Sequence, residues 1–180
     1  MRTKLTWLVL FSTVILVTAL CPGKAEATPA QGFTSTTLAL GQFAEINVLN
    51  QFVQPGSAPA KLNIWRSRQR TRGLSDGYVL SNVWQPAQPG QPGGTTGWHT
   101  HLGHTLIIVT AGAVTAYEGN DPSCTPHVYT AGMTFVDAGG NHVHIVRNEG
   151  TVEADVIAVR LIPTGQPGRI DAPAPGNCPF

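Results

Sequence analysis

Charge is scarce in this chain: Asp, Glu, Lys and Arg make up 12% of its 180 residues, and the formal net charge is +1. So sparse and balanced a set lacks the basic surface by which proteins grip phosphate backbones, which excludes nucleic acid as the main partner. Helical periodicity is missing as well, since no segment repeats its apolar residues at the spacing of an amphipathic helix. No internal repeat is visible. Cysteine is limited to Cys21, Cys124 and Cys178, and long apolar runs are confined to the N-terminus.

That run extends from Leu5 to Leu20, behind Arg2 and Lys4 and ahead of Cys21-Pro22-Gly23. Ala25-Glu26-Ala27 then supplies a small-x-small pattern, so 1–27 reads as a signal peptide cleaved before Thr28. A membrane anchor is the competing reading, because the run approaches the length needed to span a bilayer. Lipid attachment at Cys21 is disfavoured, since Leu20 stands where a small residue is wanted. Cleavage leaves no stable membrane anchor and a secreted or periplasmic protein. It also leaves Cys124 and Cys178 as an even pair in an oxidising compartment. We expect them to form a disulfide that ties the proline-rich tail to the loop Asn120-Asp121-Pro122-Ser123-Cys124.

Behind the leader lies one domain of about 150 residues, enough for a real core. We divide it into an arm with leading strands (28–75), a barrel (76–163) and a tail (164–180). Between Lys61 and Arg72 residues alternate at period two, which places Arg66, Arg68, Arg70 and Arg72 on one exposed face of an extended segment. A solvated edge is the plainer account of that stripe, and an anion site the sharper one. Tyr78 to Trp84 is strand-like, and Gln85 to Gly97 is a proline- and glycine-rich loop. Beyond it, short apolar stretches at 106–109, 114–117, 127–129, 134–136, 143–146 and 155–162 are separated by turns at Ala111-Gly112, Gly132, Gly139-Gly140 and Asn148-Glu149-Gly150. Short strands at regular spacing with glycine turns indicate an all-β sandwich or barrel.

All six histidines lie between positions 99 and 144, and four of them form two His-x-His pairs, His99 with His101 and His142 with His144. In a strand, residues two apart share a face, so each pair can send both imidazoles inward. Neutral imidazole is a common metal ligand, and a buried cluster of imidazoles calls for a cation or for exchangeable protons. For His104 and His127, which sit in or near loops, an ordinary hydrogen-bonded histidine is the better account.

Gly97-Trp98-His99-Thr100-His101, followed by Leu106-Ile107-Ile108-Val109-Thr110-Ala111-Gly112, resembles the first motif of the cupin superfamily. Gly132, Ala138-Gly139-Gly140, His144 and Asn148 resemble the second. The resemblance implies a cupin-type jelly-roll β-barrel whose metal ligands are His99, His101 and His144. The glutamate of the full family ligand set falls at Thr105, so the implied set is three neutral histidines. His142 or His104 is the candidate additional ligand, and parity with His144 favours His142. Ala138 stands where a proline is usual, and the turn before His144 is one residue longer than the pattern.

Three imidazoles with open coordination suit one divalent transition metal ion, Fe, Zn, Cu, Ni or Mn, and disfavour calcium and magnesium. An ion left with its full charge would draw water, hydroxide or an anionic substrate to its open positions. The expected partner is therefore a small, oxygen-rich molecule. The wider family includes three-histidine dioxygenases, so the resemblance implies an oxygenase as one outcome. A non-catalytic module that binds a small ligand or metal is the alternative, and a homodimer is compatible with the family.

Overall fold

The structure is a computed structural model that describes residues 26–55 and 62–180. The expected leader lies outside them apart from Glu26 and Ala27. Every named element is a strand. In chain order these are β1 (Phe33–Phe43), β2 (Asn47–Pro55), β3 (Leu62–Arg70), β4 (Ser75–Trp84), β5 (His99–Thr100), β6 (Thr105–Ala111) and β7 (Ala113–Glu118). They continue with β8 (His127–Thr130), β9 (Thr134–Asp137), β10 (His144–Arg147), β11 (Ala154–Pro163) and β12 (Ile170–Asp171). The fold is all-β, as expected. No helix among the described residues is long and apolar enough to cross a membrane.

Period-two alternation decides which side chains enter the core. Along β11, Ala154, Val156 and Ala158 are buried on one parity while Val159 is exposed on the other. Two five-stranded sheets present such faces to each other, one in the order β1-β4-β11-β6-β9 and one in the order β12-β5-β10-β7-β8. From β4 to β7, and again from β8 to β12, successive strands alternate between the sheets. Neither five-stranded sheet shares a strand with the other, so the barrel expected from the sequence is an open one. Trp84, Val109, Val114, Ala116, Val146, Ala154 and Val156 pack between the sheets.

The segment expected as a leading arm supplies three strands. β1 pairs with β4 along its whole length, with a register shift between Thr37 and Ala39, and so forms the edge of the first sheet. β2 and β3 make a separate two-stranded hairpin in which Arg66, Arg68 and Arg70 are exposed. Arg66 donates through Nε and Nη2 to Gln51 Oε1, at 3.2 and 2.8 Å.

The tail covers the outer face of the second sheet. Cys124 and Cys178 form a disulfide with their Cα atoms 5.2 Å apart, as the cysteine arithmetic predicts. Trp98, Tyr117 and Ile145 form a second buried cluster against the half-buried disulfide. Phe180 meets the Tyr117 ring edge-on at 5.0 Å, and the Arg147 guanidinium lies 3.8 Å from the Phe180 centroid. Asn177 Nδ2 donates to the carbonyls of Glu118 and Asp121 at 2.8 and 2.6 Å. This cover explains why β7 is buried from Val114 to Tyr117 on both parities.

Candidate metal centre

His99 and His144 are direct partners across β5 and β10, and His101 stands two residues after His99 on the same parity. All three are buried, between 4% and 5% exposed, with one ligand nitrogen of each within 4.8 Å of the others. The ring centroid of His99 lies 4.8 Å from that of His101 and 4.3 Å from that of His144. The histidines singled out by the sequence therefore converge.

Backbone carbonyls set their tautomers. His99 Nδ1 lies 2.9 Å from Gly97 O, His101 Nδ1 2.7 Å from Gly168 O, and His144 Nδ1 3.4 Å from His142 O. A carbonyl oxygen only accepts, so each Nδ1 carries the hydrogen and each Nε2 keeps its lone pair for the cluster. Two glycines hold the His101 segment. Gly140 N–H donates to His101 O at 2.6 Å, and a Cβ on Gly139 would stand 2.4 Å from Gly103 O.

The fourth member is Asp137, at the end of β9. Its Oδ2 lies 3.0 Å from His101 Nε2 and 3.3 Å from His144 Nε2, and the residue is 3% exposed. It adds a negative charge beside the expected set of three histidines. Thr105 and Asp137 are register partners across β6 and β9, so the carboxylate absent at Thr105 enters from the adjacent strand. Pairing between distant segments brings it there, which a motif read along one strand does not reveal. Its local signal is the stretch Thr134-Phe135-Val136-Asp137, where Asp137 shares a parity with the half-buried Phe135 while Val136 is exposed.

The other candidates take different places. His142 lies next to the cluster, its ring stacked 5.8 Å from that of His144. Its Nε2 is 2.5 Å from Glu118 Oε2 and its Nδ1 3.8 Å from Asp137 Oδ1. Asp137, His142 and His144 also bring one ligand atom each within 4.8 Å. Thr105 is 1% exposed and lines the same cavity, whereas His104 is exposed and joins neither group. His127 is exposed on β8.

Burial dominates the proton equilibria. It depresses His99 to about 2, with help from the charges of His144, Arg169 and His101. It holds His144 down to about 4 against the pull of Asp137. For Asp137 burial acts upward, but the close approach of His101, the charges of His144 and His101, and the Gly139 N–H overcome it and bring the carboxyl to about 2. Burial pushes Glu118 up, against the attraction of His142 and His127. His99 and His144 are thus neutral at neutral pH and Asp137 is ionised.

A divalent cation fits these residues. Asp137 Oδ2 is buried without a hydrogen-bond partner, and the Nε2 lone pairs of His101 and His144 face it. Acceptors pressed this close repel one another until a cation or proton lies among them. Nitrogen donors plus one carboxylate suit a first-row transition ion.

The cluster lies at one end of a cavity of about 330 Å³ between the sheets. The lining includes Arg160, whose Nη1 donates to the same Gly168 carbonyl that His101 uses, and Arg169, whose Nε donates to Asp171 Oδ1 at 2.5 Å. Neither arginine stands out in the sequence. The Arg66–Arg72 stripe contributes nothing to this lining.

Fold and site together define an all-β, two-sheet protein with a buried cluster of three histidines and one aspartate. The solved structures it resembles include cupin and double-stranded β-helix proteins. One is an uncharacterised conserved protein with a double-stranded β-helix domain from Klebsiella pneumoniae, 22% identical, over 53% of this chain and 74% of that one, with a TM-score of 0.41. A cupin-like protein from Thermotoga maritima is 21% identical over 54% of this chain and 65% of that one, with a TM-score of 0.41. A cupin-2 domain from Rhodospirillum rubrum is 11% identical over 81% and 69% respectively, with a TM-score of 0.45. No protein-family model matches the chain, and the comparison with curated proteins gives no match.

Proposed function

We propose that this is an exported metalloprotein that holds one divalent transition metal ion through His99, His101, His144 and Asp137 and presents it to a small oxygen-rich molecule in the cavity. The observation that carries this reading is the orphaned Asp137 Oδ2 packed against the Nε2 atoms of His101 and His144. Export is favoured by the basic and apolar start of the chain and by the Cys124–Cys178 pair.

A bound ion of this kind supplies Lewis-acid polarisation of an oxygen ligand and, where the metal is redox-active, electron transfer. The chain's own residues do the rest. Gly97 O, Gly168 O and His142 O fix the tautomers. Asp137 offsets one positive charge, and the apolar side chains between the sheets shield the ion in part from bulk water. His142 and Glu118, each between a quarter and a third exposed and in close contact, stand where a proton can pass between the cluster and solvent. Among reaction classes, oxygen-dependent oxidation is our first choice, on the three-histidine likeness drawn from the sequence.

Metal analysis of protein purified from its own compartment tests the reading. Wild type is expected to retain close to one transition ion per chain, and the H99A/H101A double variant none. Equal retention by both would refute the assigned site. Oxygen uptake with a panel of small oxygen-bearing molecules then separates an oxygenase from a binding module; bound zinc without uptake would rule out the oxygenase.

A further inference from the structure

Strand register sorts the cavity wall into transverse rows. Across β4, β11, β6 and β9 one row reads Tyr78, Arg160, Thr105, Asp137, and it is polar throughout. The next reads Leu80, Ala158, Ile107, Phe135, and it is apolar throughout. Further along, Asn82 and Val156 stand opposite each other across β4 and β11, and beyond them comes Trp84, with the Phe33 ring of β1 4.9 Å from its own. The cavity thus has one strongly polar end, at the histidine cluster, and a mainly apolar remainder interrupted by side chains such as Asn82.

The polar end carries unmet hydrogen-bonding capacity besides that of Asp137 Oδ2. Arg160 Nε and Arg169 Nη2 are buried and without partners, as is Thr105 Oγ1 between Arg160 and Asp137 in the row. Among the described residues Arg160 makes no salt bridge, whereas Arg169 has Asp171. A largely buried guanidinium with no carboxylate in direct contact is unfavourable, and its planar fork matches one. The Asp137 carboxylate nearby limits how much further negative charge the polar end accepts, which favours a monoanion.

We infer that the cavity binds a small monocarboxylic acid with an aromatic or aliphatic body, the carboxylate beside Arg160 at the histidine end and the body along Leu80, Ile107 and Phe135. This rests on the metal-site reading only in that the same carboxylate can also reach the ion. A neutral ligand would leave Arg160 without a direct ionic partner, and a bare polar anion would leave the apolar row unfilled. The volume of about 330 Å³ lies at the small end of ligand pockets, so the body is compact.

Benzoate, benzamide and oxalate test the assignment: one carries head and body, one the body without charge, one the charge without body. Calorimetric titration of the chain after metal removal by chelation is expected to show benzoate binding at least about tenfold more tightly than either of the others. Arg160→Gln is expected to bring benzoate down to the level of benzamide. Equal affinity for benzoate and benzamide, equal affinity for benzoate and oxalate, or unchanged benzoate binding in a folded R160Q chain would overturn the inference. If R160Q does not fold, the wild-type comparison decides alone. A repeat with zinc-loaded chain separates the two readings: a protein that fails to take up zinc refutes the metal site, while the metal-free titration still judges the carboxylate pocket.

Discussion

Thr105 and Asp137 stand opposite each other across β6 and β9, and the carboxylate of the site hangs from the second of them. A glutamate at 105 and an aspartate at 137 would therefore approach the histidine cluster from neighbouring strands of one sheet. The two positions act as alternative mounts for one negative charge.

The first prediction comes from that geometry. Asp137→Asn removes the charge with little change of shape, and metal affinity is expected to fall about 10- to 100-fold. Adding Thr105→Glu to that variant returns a carboxylate from the adjacent strand and is expected to recover at least about tenfold of the loss. Competition against a chromophoric chelator reads both numbers. An unchanged affinity in D137N would show that Asp137 is no ligand.

Much of this architecture is legible in the sequence because it is local. Alternation in Ala154–Pro163 and in Thr105–Ala111, glycine turns such as Gly112 with φ of 64°, and two His-x-His pairs each announce themselves within a few residues. Arg160 and Arg169 are not legible there, and Asp137 only as an inward parity, because contacts between segments far apart in sequence bring them to the cavity. Nothing local tells Arg160 from Arg66. The first lies within the cavity wall opposite Tyr78, the second on an exposed hairpin beside Gln51.

The second prediction concerns acid. His99 and His144 are held neutral in the fold, down to about 2 and about 4, whereas an unfolded chain protonates them near 6.5. Below 6.5 the unfolded state therefore binds more protons, and stability falls as pH falls. The slope is up to ~1.4 kcal/mol per pH unit for each histidine, for both down to about 4 and for His99 alone beyond it. The Asp137 carboxyl, lowered to about 2, acts in the same direction further down: its contribution is complete above the ordinary carboxylate range and is lost as pH falls towards 2. Unfolding free energies of metal-free protein from urea titration should thus drop between pH 7.5 and pH 5, by up to ~4 kcal/mol, with the urea midpoint falling accordingly. Equal midpoints would contradict the burial of these imidazoles.

The disulfide offers a third test. Cys124 and Cys178 are separated by 54 positions, and closing a loop of that size stabilises a fold by about 4 kcal/mol in the chain-entropy account. C124S/C178S is expected to lose up to that amount and to loosen Phe180 from Tyr117 and Arg147. Thermal melting with and without reductant, alongside the double variant, measures it. The histidine cluster is lined by the opposite side of the second sheet, so metal retention at room temperature should persist. Loss of metal on reduction would show that the tail also orders the centre.

A fourth prediction isolates the turn that holds His101. Gly139 has φ of 70°, and an added Cβ would meet Gly103 O at 2.4 Å, so alanine there is penalised twice. The backbone conformation alone costs about 1–3 kcal/mol. The steric clash pushes Gly103, and with it the segment from His101, away from the turn. Asp137 Oδ1 accepts from Gly139 N–H at 3.0 Å, so the same change disturbs the carboxylate. Gly139→Ala should therefore weaken metal affinity as well as stability. Gly132 is the control: its φ of 88° carries a comparable backbone penalty, and a Cβ there meets nothing within 4 Å. Gly132→Ala is expected to lower the melting temperature while leaving metal affinity within about twofold of wild type. If both variants lose metal equally, strain in the fold at large, rather than the hold on His101 and Asp137, sets the affinity of the centre.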